Sequence, residues 1–356
     1  MKTILHIVGS RPQFIKLAVL YNELAGDKSF SQKIVHTGQH FSYNMSEIFF
    51  DQLNIPKPDI NFNLHQSSPN LFIGEATDAL QNYFLKNINS EVFLYGDTNT
   101  TVAGAIAARR CKLPLIHFEA GVRTADSSMP EEINRLITDR LATVNYCCTM
   151  KNFETMKAEG YEGIISSQLI LTGDLMLDAF LKIKGSEKNI IEEKEYIACT
   201  IHREANLSNK NKFTAIVNAL NKINNYLRVV MPVHPHTKKK MQEYNIEPSF
   251  KMLDPLGYPE MKTFLTNSSF VITDSGGSSR EAYFLQKKSL IIMDKPFWPE
   301  IIETNCAMNT AANEELIIEG FQQLPSLKAD FTTQIFGNGN AAKNIHQHLS
   351  ANIDNL

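Results

Sequence analysis

The chain lacks the short motifs that mark two large classes of nucleotide-binding enzyme. Its 356 residues contain neither Gly-x-Gly-x-x-Gly nor a Walker A sequence. These absences weaken a dehydrogenase or nucleoside-triphosphatase interpretation, although doubly wound sheets can bind nucleotides without either motif. No internal repeat or low-complexity tract is present either, which favours an ordinary globular enzyme.

A strong excess of charge and long apolar runs are also missing. The net charge is −3 and the pI is about 6.4, so nothing in the overall charge favours a nucleic acid or an anionic membrane as partner. No run approaches the roughly 18 apolar residues of a transmembrane helix. The apolar run within residues 1–10 is too short for a signal peptide and is typical of a first strand. We expect a soluble protein that neither binds nucleic acid nor inserts into a membrane.

Cysteine is scarce, and the spacing of the cysteines does not indicate a disulfide or metal cross-link. The five cysteines are odd in number, lie mostly in apolar runs and fit neither a zinc ribbon nor a disulfide framework; they are Cys111, Cys147, Cys148, Cys199 and Cys306. This usage predicts reduced thiols and a cytoplasmic location. His234 and His236 stand two apart without a third ligand at metal spacing, so we expect no metal site.

Short β-rich runs alternate with helical patterns from the start of the chain to about residue 300. Strands are predicted at 2–8, 32–37, 91–96, 114–118, 143–148 and 168–173, and then at 195–201, 227–233, 250–253, 269–273 and 289–293. This alternation indicates βαβ units and parallel sheets. The length favours two cores. The predicted fold is therefore α/β, with two doubly wound sheets.

The charged segment that begins at Leu181 is the expected connection between the two halves. We place the first domain at 1–173 and the second at 174–336. The apolar spacing after Gly-Asn-Gly predicts a final helix within 337–356, which we expect to pack back on the first domain.

Four acid and base residues occupy positions suited to chemistry. Asp97, Glu119 and His202 each end an apolar run, and ligands of open α/β sheets lie beyond the carboxyl ends of the strands. Glu131 follows Pro130 in the first turn of a predicted helix, where the dipole favours an ionised carboxylate. Carboxylates with one histidine favour proton transfer over redox chemistry. Each residue alone also fits a structural role, as a helix cap or a hydrogen-bond partner.

Two glycine turns are candidate phosphate sites. Gly9 to Pro12 joins the first strand to a helix and brings Arg11 and Lys16; it fits either a diphosphate cradle or a tight turn with a solvated arginine. In the second half, Ser275, Gly276 and Gly277 open a helix in which Glu281 could bind a ribose. That turn also fits a helix entry capped by serine. Arg135 and Asp139, four apart, are expected to pair on a helix surface.

A series of motifs runs in order along the chain. It consists of Gly-Ser-Arg-Pro-Gln-Phe-Ile-Lys, Thr-Gly-Gln-His, Gly-Asp-Thr, His-Phe-Glu-Ala-Gly-Val-Arg, Pro-Glu-Glu-Ile-Asn-Arg, Thr-Ile-His-Arg, Pro-Val-His-Pro and Thr-Asp-Ser-Gly-Gly. Taken together, these motifs resemble the non-hydrolysing UDP-N-acetylglucosamine 2-epimerases.

The resemblance implies two Rossmann-like domains of the glycosyltransferase-B type, with UDP held mainly by the second domain and the sugar in an interdomain cleft. It implies inversion at C2 of a UDP-2-acetamido sugar without a cofactor, by elimination of UDP to a 2-acetamidoglucal and re-addition. It also implies a homodimer and a supply of precursors for a surface polysaccharide. The matching catalytic positions are Asp97, Glu119, Glu131 and His202, and the matching substrate or UDP positions are Arg11, Lys16, Arg135, His234, Ser275, Gly276, Gly277 and Glu281.

Several positions depart from the family pattern. Glu204 stands one place early after His202, Ser279 replaces a glutamine, and residues 293–300 lose two arginines and an acidic residue. Trp298 and several N-terminal motifs look more like the branch that acts on UDP-2,3-diacetamido-2,3-dideoxy-glucuronate, although that branch generally keeps the arginine that Met293 replaces. The exact sugar stays open. So do two further alternatives, namely a UDP-sugar-binding homologue without turnover and a glycosyltransferase of the same architecture.

Overall fold

The computed structural model of the chain describes residues 1–39, 50, 53, 55–65, 68–187 and 190–352. The motif residues at 40–49 and the end of the expected last helix at 353–356 lie outside the described residues. The chain divides into two compact units. The first consists of Met1–Lys182 with Phe336–Leu356, and the second of Ile183–Ile335.

The first unit contains a parallel sheet with the strand order β3-β2-β1-β4-β5-β6-β7. Its strands are β1 (Lys2–Val8), β2 (Phe30–His36), β3 (Ile60–Asn61), β4 (Ser90–Tyr95), β5 (Leu115–Ala120), β6 (Val144–Cys147) and β7 (Gln168–Leu171). Its helices are α1 (Arg11–Leu24), α2 (Pro69–Phe84), α3 (Asn99–Arg110), α4 (Pro130–Leu141), α5 (Met150–Ala158), α6 (Leu175–Lys182) and the last helix of the chain.

The second unit contains a parallel sheet with the order β10-β9-β8-β11-β12-β13. Its strands are β8 (Ile197–Thr200), β9 (Val229–Pro232), β10 (Lys251–Leu253), β11 (Phe270–Thr273), β12 (Ser289–Ile292) and β13 (Ala307–Thr310). Its helices are α7 (Glu204–Leu207), α8 (Lys210–Ile223), α9 (Pro235–Tyr244), α10 (Tyr258–Asn267), α11 (Gly276–Phe284), α12 (Pro299–Glu303) and α13 (Glu314–Gln323). Helix α14 (Ala341–Ala351) then returns to the first unit.

Central strands in both sheets are covered on both faces, which explains their continuous apolar sequences. All six residues of β4 and all four of β8 and β12 are buried. The prediction of an α/β fold with two doubly wound sheets is confirmed. Two strands were not predicted: β3 has only two residues, and β13, with the sequence Ala-Met-Asn-Thr, lacks the apolar run that marks the others.

The division between the units lies after Lys182, later than the expected boundary at 173/174. Helix α6 belongs to the first unit because it packs against α1 and α14. The Asp178 carboxylate on α6 accepts hydrogen bonds from the backbone N–H groups of Ala341 and Ala342, at 3.1 and 2.8 Å. These two residues open α14, so the bonds satisfy amides at its N-terminus. Across the described residues, no helix combines the length and the apolar character needed to cross a membrane.

Candidate active site

Two candidate residues of the first unit lie where neighbouring strands end. Strands β1, β4 and β5 lie side by side, and the segments after them begin with Gly9, Gly96 and Gly121. The strands are parallel, so these segments share the carboxyl edge of the sheet, where α/β proteins bind ligands. Asp97 and Glu119 both belong to this edge.

Asp97 is held by an arginine from α4. Arg135, which is buried, donates to Asp97 through Nη2 and to Glu132 through Nη1, the second contact measuring 2.7 Å. Desolvation opposes ionisation of Asp97, but the charge of Arg135 and then that of Lys16 outweigh it and lower the pKa of the carboxyl. Asp97 is therefore a carboxylate at neutral pH and keeps 30% of its side chain exposed.

Glu119 has an unusual backbone. Its φ is 74°, in the left-handed region, and the pairing of β5 with β6 shifts register between Phe118 and Ala120. Such a bulge re-aims a side chain, and a non-glycine residue in this region is strained by about 1–3 kcal/mol. The Glu119 carboxylate accepts a hydrogen bond from Lys16 Nζ. That buried ammonium also lies 5.9 Å from the centre of the Phe118 ring.

Glu131 and Glu132 diverge at the start of α4, as their helical spacing predicted. Glu132 is buried and accepts hydrogen bonds from Thr124 and from the backbone N–H of Ala125, as well as from Arg135. It thereby ties the 124–125 loop to the helix. Glu131 is half-buried and remains the member of the pair suited to chemistry.

The first glycine turn uses its amides internally. The backbone N–H groups of Gly9 and Ser10 both donate to the Gln13 side chain, at 2.8 and 3.1 Å. The expected diphosphate cradle therefore has no support from these two amides, and the cationic side chains of Arg11 and Lys16 remain as its candidates. A Cβ on Gly9 would lie only 2.2 Å from Thr100 Oγ1, so the close approach of the chains explains the glycine.

A buried ion network lies beneath this edge and was not predicted. Asp139 Oδ1 lies 2.7 Å from His117 Nδ1, and Asp139 Oδ2 lies 2.7 Å from Arg123 Nη1. The prediction that Arg135 and Asp139 pair on a helix surface was wrong. Both side chains are buried, and each is ion-paired with residues from other elements. Helical spacing alone does not predict that Asp139 pairs with His117 on β5 or that Arg135 pairs with Asp97 on the turn after β4.

In the second unit, His202 stands at the end of β8 beside a buried aspartate. Asp274 accepts hydrogen bonds from the backbone N–H groups of His202 and Arg203 and from the Asn206 side chain, at 3.0–3.1 Å for the shortest contact of each. The His202 ring is half exposed, and its Nδ1 lies 3.7 Å from Asp274 Oδ1. Asp274 therefore fixes the backbone that presents the histidine.

The second glycine turn is the N-terminus of α11. Ser275 is the N-cap, and its hydroxyl accepts from the backbone N–H of Ser278 at 3.3 Å. Gly276 and Gly277 form the first turn, whose amides point out of the helix end and favour an anion. Glu281 is buried one turn further along.

The loop that departs from the family pattern packs directly on this turn. Trp298 Nε1 donates to the Gly276 carbonyl oxygen at 3.1 Å, and the Arg280 guanidinium lies 4.6 Å from the Trp298 ring centre. Arg203 lies at the same distance over Phe297. A Cβ on Gly276 would be 2.7 Å from the Phe297 ring, so the close approach of Phe297 explains the glycine there.

The displaced Glu204 has a partner of its own. Its carboxylate lies 2.9 Å from His236 Nε2, and the backbone N–H of His236 in turn donates to His234 Nδ1 at 3.3 Å. The contact between Glu204 and His236 joins the segment after β8, which carries His202, to the segment after β9, which carries the exposed His234.

Residues 22–350 match the family described as UDP-N-acetylglucosamine 2-epimerase. A relative from Pseudomonas aeruginosa, UDP-2,3-diacetamido-2,3-dideoxy-D-glucuronate 2-epimerase, is 36% identical over 98% of this chain and 99% of its own length. The crystal structure of UDP-GlcNAc 2-epimerase from Methanocaldococcus jannaschii in complex with UDP-GlcNAc and UDP covers 99% of this chain and 100% of its own, with 31% identity and a TM-score of 0.89. The enzyme from Neisseria meningitidis bound to UDP-GlcNAc covers 98% and 100%, with 26% identity and a TM-score of 0.85.

Proposed function

Because the chain belongs to the UDP-N-acetylglucosamine 2-epimerase family, and is therefore a carbohydrate 2-epimerase of the glycosyltransferase-B type, we propose that it inverts C2 of a UDP-2-acetamido sugar by eliminating and re-adding UDP. The observation that carries this proposal is the pair of ion-paired carboxylates, Asp97 and Glu119, at the carboxyl edge of the first sheet. The reaction needs no external cofactor.

The proposed reaction moves protons at two positions on opposite faces of the sugar. One carboxylate removes the C2 proton, the bond between C1 and the UDP oxygen breaks, and a 2-acetamidoglucal forms. Protonation of C2 from the other face accompanies return of UDP to C1, which gives the epimer. Asp97, Glu119, Glu131 and His202 are the groups assigned to proton transfer, and an ionised carboxylate such as Asp97 suits the base.

The second unit is assigned to UDP. The N-terminus of α11, with Ser275, Gly276 and Gly277, offers first-turn amides and a dipole for the pyrophosphate. Glu281 is assigned to the ribose and His234 to the nucleotide. In the first unit, Arg11, Lys16 and Arg135 supply cationic groups that stabilise the departing phosphates.

UDP-N-acetylglucosamine is the first candidate substrate. UDP-2,3-diacetamido-2,3-dideoxy-glucuronate is the second, and two observations favour it: the relative from Pseudomonas aeruginosa and the loop in which Trp298 packs on Gly276. The two sugars differ at C3 and C6, so side chains outside the C2 chemistry would distinguish them.

Both candidates are tested by incubating each nucleotide sugar with the enzyme in heavy water. Proton NMR should show deuterium at C2 and a second epimer for one of them. Tight UDP-sugar binding without exchange would favour the homologue without turnover, and UDP release that depends on an acceptor would favour a glycosyltransferase. Either outcome would overturn the proposal. Free N-acetylmannosamine would instead identify a hydrolysing enzyme.

We propose that the protein is a cytoplasmic homodimer. The free cysteines suit a reducing compartment. Helix α4 exposes Ile133, Leu136 and Ile137 by 45, 42 and 38%, a contiguous apolar face at helical spacing that a second copy would cover. Sedimentation velocity should give a dimer that Ile137→Lys weakens, whereas a monomer at micromolar concentration would exclude it.

A further inference from the structure

His117 and Asp139 form the centre of the buried network beneath the proposed C2 site. His117 belongs to β5, two residues before Glu119, and Asp139 belongs to α4. Both side chains are completely buried. The two ring nitrogens of His117 each have a partner at 2.7 Å: Nδ1 faces Asp139 Oδ1, and Nε2 faces the Gly96 carbonyl oxygen.

The chemistry of these two partners determines where the protons are. A carbonyl oxygen can only accept, so Nε2 must carry a hydrogen. The other carboxylate oxygen of Asp139 accepts from the backbone N–H of Gly121 at 3.2 Å and from Arg123 at 2.7 Å. A carboxyl surrounded by donors is stabilised in its ionised form, so it must accept from Nδ1 as well.

Charge balance points the same way. Burial opposes ionisation of Asp139, yet the hydrogen bond and charge of His117 and the charge of Arg123 outweigh burial and lower the pKa of that carboxyl. Arg123 is bound in turn by Glu159 through two contacts of 2.9 and 2.8 Å. The contacts therefore run from His117 through Asp139 and Arg123 to Glu159.

This network touches the backbone on both sides of the proposed acid and base residues. Gly96 has a φ of +65°, and its carbonyl oxygen accepts the hydrogen bond from His117 Nε2. Its backbone N–H donates to the Phe118 carbonyl oxygen at 2.9 Å. Its two backbone groups are thus fixed by β5, directly before Asp97. Asp139 holds the N–H of Gly121, two residues after Glu119.

We propose that His117 donates hydrogen bonds from both ring nitrogens and is a positioning residue, which with Asp139 fixes the backbone of Asp97 and Glu119 and places positive charge beneath Asp97. It does not exchange its proton with substrate. This role rests on the proposed function for its catalytic consequence, but the protonation state itself does not.

Asp139 and Asp97 are the carboxylates that interact with this histidine, while Arg135 and Lys16 act on Asp97 and Arg123 acts on Asp139. Two weak acids also lie within the electrostatic reach of Asp139. Burial raises the pKa of the Cys147 thiol and raises that of Tyr161 to about 12, so neither competes for the proton at neutral pH.

His6 offers a matched control in the same sheet. Its side chain is also completely buried, but its Nε2 faces the side-chain amide oxygen of Gln32 at 3.0 Å and its Nδ1 faces the Tyr95 hydroxyl at 2.7 Å. A hydroxyl can donate, so this ring needs only one hydrogen, and burial lowers the pKa of His6 to about 4. His6 should be neutral where His117 is an imidazolium.

Nitrogen-15 NMR of histidine-labelled enzyme tests the inference without any activity. At neutral pH, His117 should show two protonated ring nitrogens and His6 one. Spectra of His117→Asn and His6→Asn assign the two signals. A His117 ring with one bare nitrogen under these conditions would overturn the proposal, whether or not the enzyme is an epimerase.

Kinetics of the same variants test the positioning. His117→Asn should lower kcat for C2 exchange on the order of 10²-fold with little change in KM, because misplacement of a reacting group costs about that much. It should also move the acid limb of the kcat/KM profile to higher pH, since loss of a cation raises the pKa of Asp97. Asp139→Asn should lower kcat in the same way, and His6→Asn should give neither effect. Equal losses in His6→Asn and His117→Asn, with an unmoved acid limb, would reduce His117 to a structural core residue.

Discussion

Trp298 donates its indole N–H to the carbonyl oxygen of Gly276, which ties the 293–300 loop to the glycine turn assigned to UDP. The guanidinium of Arg280 stacks on the same ring. The loop thus provides an aromatic anchor for the turn, so its sequence bears on the proposed nucleotide site as well as on the sugar.

Trp298→Phe should separate these contributions. The variant keeps a ring for Arg280 but loses the hydrogen bond, which is worth about 1 kcal/mol, so we expect UDP to bind several-fold more weakly by calorimetry. Trp298→Ala also removes a side chain that is 3% exposed, and should lower the free energy of unfolding by about 3–5 kcal/mol. Identical UDP affinity in wild type and Trp298→Phe would show that the bond does not shape the nucleotide site.

Asp97→Asn should nearly abolish turnover. Removal of an acid or base group lowers the rate by about 10²–10⁴-fold, whereas Arg135 remains held by Glu132 and keeps the fold. Deuterium incorporation at C2 measures the loss. Asp78→Asn, which changes an exposed carboxylate on α2 of the same unit, is the control and should retain wild-type exchange.

Glu119→Gln should cost stability as well as activity. It leaves the Lys16 ammonium, 3% exposed, beside a neutral amide, and breaking a buried ion pair costs about 3 kcal/mol or more. The double variant Lys16→Met with Glu119→Gln should recover most of this loss, because the buried ammonium is then removed together with its partner. The free energy of unfolding of the wild type and of these variants is measured by urea unfolding, followed by circular dichroism. Fluorescence of Trp298, the only tryptophan, reports the second unit and should be unaffected.

His346→Gln should remove stabilisation of the C-terminal helix that depends on an ionised Asp27. The His346 side chain lies 2.9 Å from Asp27, and this bond, followed by the backbone N–H of Ser29, lowers the pKa of Asp27 from 3.8 to about 2. A depressed folded-state pKa means that the stabilisation is complete above 3.8 and is lost as the pH falls toward 2. In the variant the pKa of Asp27 should lie closer to 3.8, so the protein should be less stable at neutral pH and should lose less stability below pH 3.8. A carbon-13 titration of Asp27 that is unchanged in the variant would contradict this assignment.

The sequence located the strands and the ends of the strands well, because both depend on local patterns. Continuous apolar runs marked nearly every buried strand, and the rule that ligands gather at carboxyl ends selected Asp97 and Glu119. The resemblance to the epimerase family, confirmed by the match over residues 22–350, supplied the reaction.

What the sequence missed depends on contacts between distant elements. The bond from His117 to Asp139 joins β5 to α4, and neither residue has a distinctive local pattern. Arg135 and Asp139 have the spacing of a helical ion pair, but Arg135 pairs with Asp97 and Asp139 pairs with Arg123, both on other elements. Strand β3 was missed because two residues define it only through pairing with β2.

The return of Phe336–Leu356 to the first unit has a consequence for biosynthesis. Domains usually fold in the order in which the ribosome delivers them. Here the entire second unit is synthesised before α14, the helix of the first unit whose first two amides donate to Asp178. A chain interrupted before residue 336 would hold a finished second unit and an incomplete first one. The first unit can therefore complete its packing against α6 and α1 only after α14 has been synthesised.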